Sequence, residues 1–229
     1  MRKPNLRQPL LNPYELYTSL LSHFGPQHWW PAETPFEVVV GTILTQQVAW
    51  KNVEKAIENL KNKHVLDPCK MSNLSLEKLE VYVKPTGFYR QKARRLKDIC
   101  TYIFKEYNSS LKRLFNKEIC SLRAELLSLK GIGPETADSI ILYAAEKPSF
   151  VIDAYTKRIC ERLQLTHELD YESLKFFFES SIPEDVEVYK EFHALLVELG
   201  KNYCKTRPVC KDCPLRRKCK LFCLYHIVY

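Results

Sequence analysis

No apolar run in this chain approaches the roughly 20 residues that a membrane span requires; the longest are Val38 to Leu44 and Ser139 to Ala145. The first residues, MRKPNLRQPLLNPYELY, lack the uninterrupted apolar core of a secretory signal. There is no internal repeat, and no period-two alternation long enough to demand a sheet. With 6 Gly and 13 Pro among 229 residues, 45% hydrophobic and 27% charged, the composition excludes fibrous and disordered classes. A chain of this length buries roughly 70% of its unfolded surface, so it needs neither metal nor disulfide merely to build a core. The expectation is an intracellular globular protein, cytoplasmic or nucleoid-associated, monomeric and without a membrane partner.

Acid is missing where base is concentrated. Lys84 to Lys97 holds six Lys or Arg and no acid, while Lys201 to Lys220 holds eight against the single Asp212. These contribute +6 and +7 of a net +8, leaving the rest at −5. Two basic segments on a mildly acidic body suit a polyanion partner, because each neutralised phosphate releases counterions; solvated helix faces would look the same by charge alone.

Nine cysteines is an odd number, which argues against a disulfide framework. Five are scattered, but Cys204, Cys210, Cys213 and Cys219 form C-x5-C-x2-C-x5-C. Structural zinc uses two short cysteine pairs, and here Cys210 and Cys213 alone are so close. Four thiolates spread along one loop favour a [4Fe–4S] cluster, with zinc as the alternative.

Three-to-four-residue apolar spacing recurs along most of the chain and predicts helices, among them Phe36 to Gln47, Tyr89 to Tyr107, Thr136 to Ala145 and Val186 to Tyr203. Pro and Gly fall between them. The fold class is all-α, with two helical lobes: residues 34–148, and residues 1–33 together with 149–229. Within Leu126 to Asp153, Gly131 and Gly133 flank Ile132 in a tight turn and Pro134 suits the first turn of the next helix. Such a hairpin directs backbone N–H groups and a helix N-terminus outward, where a phosphate can be held without reading sequence. Asp153 follows twenty residues later, as a catalytic carboxylate or as a helix cap worth about 1 kcal/mol.

The segments LKGIGPETA, VIDAYTKRI and ELGKNYC, with the four cysteines after them, resemble the helix-hairpin-helix DNA glycosylases of the endonuclease III superfamily, from about Trp29 to Cys219. The resemblance implies a C-terminal [4Fe–4S] loop on Cys204, Cys210, Cys213 and Cys219, although the family's first gap is usually six residues, not five. It implies that Asp153 is catalytic, that Lys130, Gly131, Ile132 and Gly133 hold the DNA backbone, and that Gln46 and Gln47 lie near the gap in the duplex. Strand-cleaving members carry a Lys where this chain has Glu135, and a carboxylate cannot form an imine. Lyase activity is therefore expected to be weak or absent.

The stretches WWPAETPFEVVVGTILTQQVAW and VKPTGFYRQKARRL are similar to the 3-methyladenine DNA glycosylase III branch. By that likeness Trp29, Trp30, Pro31 and Trp50 line the base pocket, where an indole face attracts a cationic purine; adjacent tryptophans also serve as core anchors. Leu195 stands where a member of the branch has a pocket Lys. The implied function is a monofunctional glycosylase removing alkylated purines such as 3-methyladenine from damaged double-stranded DNA in base excision repair. The alternatives are an endonuclease III-like glycosylase and lyase acting on another damaged or mismatched base, or a non-catalytic DNA-binding module, against which Asp153 argues.

Overall fold

Most α-helix starts among the described residues are set by short polar side chains, and a few by a proline in the first turn. Asn12, Thr34, Asp67, Ser75, Ser110, Asp153, Asp170 and Asp185 each accept a hydrogen bond from a backbone N–H three residues on, satisfying a donor that the helix itself leaves unpaired. Pro13, Pro35, Pro68 and Pro134 occupy first helical positions, where a missing N–H costs nothing. The computed structural model describes residues 11–222, and all regular elements among them are helical. The opening MRKPNLRQPL and Cys223 lie outside the described residues. No described helix is long and apolar enough to cross a membrane.

The chain divides into two compact units. The inner unit runs from Trp30 to Ser149 and carries α2 (Pro35–Leu44), α3 (Trp50–Asn62), α4 (Pro68–Asn73), α5 (Leu76–Val83), α6 (Tyr89–Tyr107), α7 (Leu111–Phe115), α8 (Ile119–Ser128) and α9 (Pro134–Tyr143). Its limits lie just outside the expected 34 and 148, because the Trp30 ring packs on Tyr143 and Trp50 and the Ser149 hydroxyl donates to Asp138. The outer unit joins the described residues up to Trp29 with those from Phe150 onward: α1 (Pro13–Phe24), α10 (Ala154–Leu163), α11 (Tyr171–Glu179) and α12 (Val186–Asn202), followed by the cysteine loop. An aromatic cluster fills it, with Phe150 stacked on Phe178 at 4.6 Å and Phe192 edge-on to both. At Gly200 the α12 backbone lies against Tyr155 of α10, so close that a Cβ there would meet the ring at 2.3 Å.

In the inner unit α9 packs on α2 and α8, and all its side chains from Thr136 to Tyr143 are buried. The expected buried face, Ala137, Ile140, Ile141 and Ala144, is indeed inside, but the helix is enclosed all round. That enclosure takes in a charge. Asp138 has no exposed surface and receives Arg123 of α8 through two hydrogen bonds, 2.9 and 3.1 Å, with Ser149 donating at 2.6 Å.

Two expectations need correction. The short α4 was not foreseen, since six residues offer little periodicity. The helix expected to reach Gln47 ends at Leu44. There the Leu44 carbonyl accepts from the buried ammonium of Lys92 (2.9 Å) instead of the next N–H along the helix, while the Val48 N–H turns back to Thr45. Lys92 also donates to the Thr86 carbonyl at 2.7 Å. Loss of hydration, together with the adjacent Arg95 charge, brings its pKa down to about 8.

Because Asp138 is the buried half of a bidentate pair joining α8 to α9, Asp138→Ala should cost about 2 to 4 kcal/mol in urea unfolding, most of it from the guanidinium left behind. Ser149→Ala should cost about 1 kcal/mol. An Asp138→Ala protein with an unchanged urea midpoint would show that the pair does not hold the two helices together.

Candidate active site and cysteine loop

The turn between α8 and α9 has the geometry expected of the hairpin. Gly131 adopts φ +87°, a conformation that side chains rarely accept, and its missing Cβ leaves room for Arg95, whose Nε would otherwise lie 2.6 Å away. Gly133 is the N-cap and Pro134 the first residue of α9. Ile132 is buried and pins the turn from below, whereas Lys130 and Gly133 face solvent. Glu135 is exposed in the first turn of α9, where a negative charge is favourable.

Gln46 and Gln47 separate sharply. Gln46 is half-buried; its amide donates to Thr136 Oγ1 at 3.1 Å and its carbonyl oxygen accepts from Arg95. Gln47 is exposed and holds φ +55°, which throws its side chain out of the helical path. Sequence alone treated the two as equivalent. A further residue it passed over is Phe88, 66% exposed at φ +43° immediately before α6. An apolar ring in the acid-free basic segment was the available signal in the sequence; its exposure and left-handed backbone come from the structure.

The tryptophans separate as well. Trp30 and Trp50, both half-buried, meet edge-to-face with centroids 5.3 Å apart, and Trp30 lies 5.1 Å from Tyr143. Gly41 of α2 seats the Trp30 ring, since a Cβ there would approach it to 3.3 Å. Trp50 donates its indole N–H to Glu54 at 2.9 Å. Trp29 belongs to the outer unit, its ring 5.7 Å from that of His193 and 5.7 Å from the Lys201 ammonium. Pro31 is exposed.

Asp153 caps α10: one carboxylate oxygen accepts from the Thr156 N–H at 2.7 Å and from its hydroxyl at 2.9 Å. The other oxygen faces Nε2 of His193, 3.7 Å away. Burial alone would raise this carboxyl, but His193 and Thr156 outweigh it and hold the pKa below the ordinary carboxylate value. Cap and charged carboxylate are thus one arrangement, with one oxygen committed and one turned toward a second titratable side chain. His193, which the sequence did not single out, follows the core residue Phe192 and is itself buried; Leu195 is fully buried.

The four cysteines of the loop line a single pocket with Ile159, Leu163, Leu199 and Leu215. Two arginines on one face of α10 hold the loop. Arg158 donates to the Cys204 carbonyl at 2.7 Å, and Arg162 donates to the Lys205 and Thr206 carbonyls at 2.6 and 3.0 Å and lies 3.4 Å from the Cys204 sulfur. Burial, reinforced by the neighbouring loop sulfurs, pushes the Cys210 thiol up, and takes Cys213 to about 11. Among the described residues no three His, Cys, Asp or Glu side chains are gathered tightly enough for a single ion. The donor set is nonetheless coherent: four mutually perturbing thiols around one apolar pocket, with the Arg162 cation beside them. Lys205, Arg207, Lys211, Arg216, Arg217 and Lys218 project outward around it.

Comparison with known proteins agrees with this architecture. A DNA repair glycosylase named from Methanocaldococcus jannaschii is 48% identical over 208 residues, spanning 90% of this chain and 94% of its own. The solved 3-methyladenine DNA glycosylase of H. pylori, bound to 1,N6-ethenoadenine, superposes with a TM-score of 0.75 at 32% identity, over 83% of this chain and 98% of that one. A trapped endonuclease III–DNA covalent intermediate, captured as an estranged-adenine complex, gives a TM-score of 0.81 at 25% identity, over 94% and 99%. Residues 40–184 match the model of the HhH-GPD superfamily base excision DNA repair proteins. With its helical fold, its glycine hairpin and the carboxylate twenty residues beyond, this chain belongs to the HhH-GPD superfamily of base excision DNA repair glycosylases.

Proposed function

We propose that this member is a monofunctional glycosylase that hydrolyses the N-glycosidic bond of alkylated purines such as 3-methyladenine in duplex DNA. The observation that carries the reading is the aromatic group formed by half-buried Trp30 and Trp50 with buried Tyr143 behind Trp30, which is seated on Gly41. Electron-rich faces attract a cationic base by roughly 0.5 to 2 kcal/mol and offer few hydrogen bonds to an oxidised pyrimidine. Trp29 and Pro31 remain candidates for the same role by family likeness, and the solved relative that is named for 3-methyladenine supports the substrate class.

In the proposed reaction the hairpin at Lys130 to Gly133 and the basic segments bind the backbone, and the damaged nucleotide is extruded. The bond from C1′ to the base nitrogen breaks with its electron pair leaving on the base, which a positive charge already makes a good leaving group. The Asp153 carboxylate stabilises the oxocarbenium-like sugar; water then adds to C1′ and gives its proton to Asp153. Glu135 at the position of the lyase lysine supports hydrolysis without strand cleavage. The four loop cysteines would hold a [4Fe–4S] cluster, whose contribution when bound is to fix the basic loop as a DNA-contacting surface.

The runner-up, an endonuclease III-like glycosylase with lyase activity on another base, is favoured by the closeness of the endonuclease III fold. A panel of damaged duplexes, scored for released base and separately for strand breaks without alkali, decides between them. Release of 3-methyladenine should exceed release of thymine glycol, uracil or mismatched adenine, with little borohydride trapping on abasic DNA; the reverse preference, or efficient trapping, refutes the proposal.

Asp153→Asn should retain both the α10 cap and duplex affinity, yet lose base release by orders of magnitude, because a transition-state interaction alone is removed. Since the Asp153 pKa is lowered, single-turnover release by the unsubstituted protein should persist as pH falls through 5 and decline only below about 4, as the carboxylate is protonated. Full activity in a folded Asp153→Asn protein excludes the assignment.

For the loop, protein purified anaerobically should contain about four iron and four sulfide per chain and absorb in the visible. Cys210→Ser or Cys213→Ser should bleach it and weaken DNA binding. Stoichiometric zinc without iron is the result that would remove the cluster.

A further inference from the structure

The inner unit contains a relay that none of the roles above requires. α6 presents two cations one turn apart, Lys92 and Arg95, to the short segment that follows α2. Lys92 grips the root of that segment through the Leu44 carbonyl. Arg95 grips its middle through the Gln46 carbonyl oxygen, and Gln46 in turn passes its amide to Thr136 in the first turn of α9. Arg95 also lies across Gly131, so tightly that its Nε, Cδ and Cγ would all stand within 2.9 Å of a Cβ there. One side chain therefore touches the hairpin glycine and, through one glutamine, both the loop that carries exposed Gln47 and the helix that the hairpin starts.

We propose that Arg95 and Gln46 are positioning residues that join the backbone-holding hairpin and the Gln47 loop into one rigid element, so that seating the hairpin on the phosphates also sets Gln47 to occupy the gap left by the extruded nucleotide. The proposal rests on the reading that this loop meets the duplex at the damaged site; it is independent of which base is removed. Three features support it physically. Arg95 is half-buried and its guanidinium is already committed to Gln46, which removes it from the pool of free phosphate contacts. Gln47 has left-handed backbone that a loosened loop would relax. The Gln46 to Thr136 bond spans ninety residues of sequence, so its purpose is not local turn formation.

The test uses a duplex carrying a tetrahydrofuran abasic analogue beside 2-aminopurine, whose fluorescence reports unstacking at the gap without need of a cleavable lesion. At saturating protein, Gln46→Leu should reduce the fluorescence rise at least threefold, and Thr136→Val should do the same. The double variant should lose no more than Gln46→Leu alone, as members of one chain of contacts do. Arg95→Ala should show the same loss of fluorescence rise at saturating protein, where any change in affinity no longer enters the signal. Arg95→Lys should restore part of the signal.

If Arg95→Ala lowers the salt slope by about one phosphate and leaves the fluorescence at saturation intact, Arg95 is an ordinary backbone contact and the relay is refuted. Full fluorescence with Gln46→Leu refutes it too, and that variant leaves Arg95 and its packing in place should Arg95→Ala fail to fold. Failure of the alkylpurine proposal would register separately, as an unsubstituted protein that unstacks the abasic duplex normally but releases no methylated purine.

Discussion

The enclosure of α9 is the constraint on which the inner unit turns. A helix buried on every face cannot shift without opening the core, and this one carries within it an aspartate whose charge is matched by Arg123 from the preceding helix. Separating the two helices would strand a guanidinium and a carboxylate together, at a cost of several kcal/mol. The glycine turn between them is thereby held open to solvent at Lys130 and Gly133 while Ile132 anchors it inside. A phosphate-holding turn needs this combination, since N–H groups stabilise an anion best when they do not have to reorganise.

Cationic side chains of the basic segments and of α10 divide between two kinds of work. Lys92 and Arg95 are spent on carbonyl oxygens and on Gln46, inside the protein, as are Arg158 and Arg162 on the cysteine loop. The outward lysines and arginines around the four cysteines, and exposed Lys84, Arg90 and Arg94 in the first segment, face solvent instead. A count of positive charge thus overstates the phosphate contacts available, and a measured salt slope would report the smaller number.

Asp153 shows how a structural role and a proposed chemical one can share one side chain. Its cap on α10 uses one oxygen, and the hydrogen bonds that make the cap also favour the ionised form against the pull of burial. A carboxylate prepared in this way is held in its charged form by the protein itself, which is what the proposed stabilisation of a developing positive sugar requires. The carboxylate and the cysteines lie in one unit of the chain, the hairpin and the Trp30 group in the other, so each set is held by its own packed core.

Much of this was legible in the linear sequence because it depends on local rules. Helix positions follow from apolar periodicity, caps, that of Asp153 among them, from Ser, Thr, Asn and Asp, and the hairpin from Gly131, Gly133 and Pro134. What the sequence could not express were relations between distant residues. It ran α2 on to Gln47 and could not show that Gln46 and Trp29 have partners of their own, because each depends on a residue 48 to 164 positions away: Leu44 on Lys92, Gln46 on Thr136, Trp29 on His193. Propensity and periodicity are properties of neighbours along the chain; a buried lysine ending a helix, or two adjacent indoles joining different cores, is decided by tertiary packing, where burying a carbonyl or a ring obliges some remote side chain to meet it.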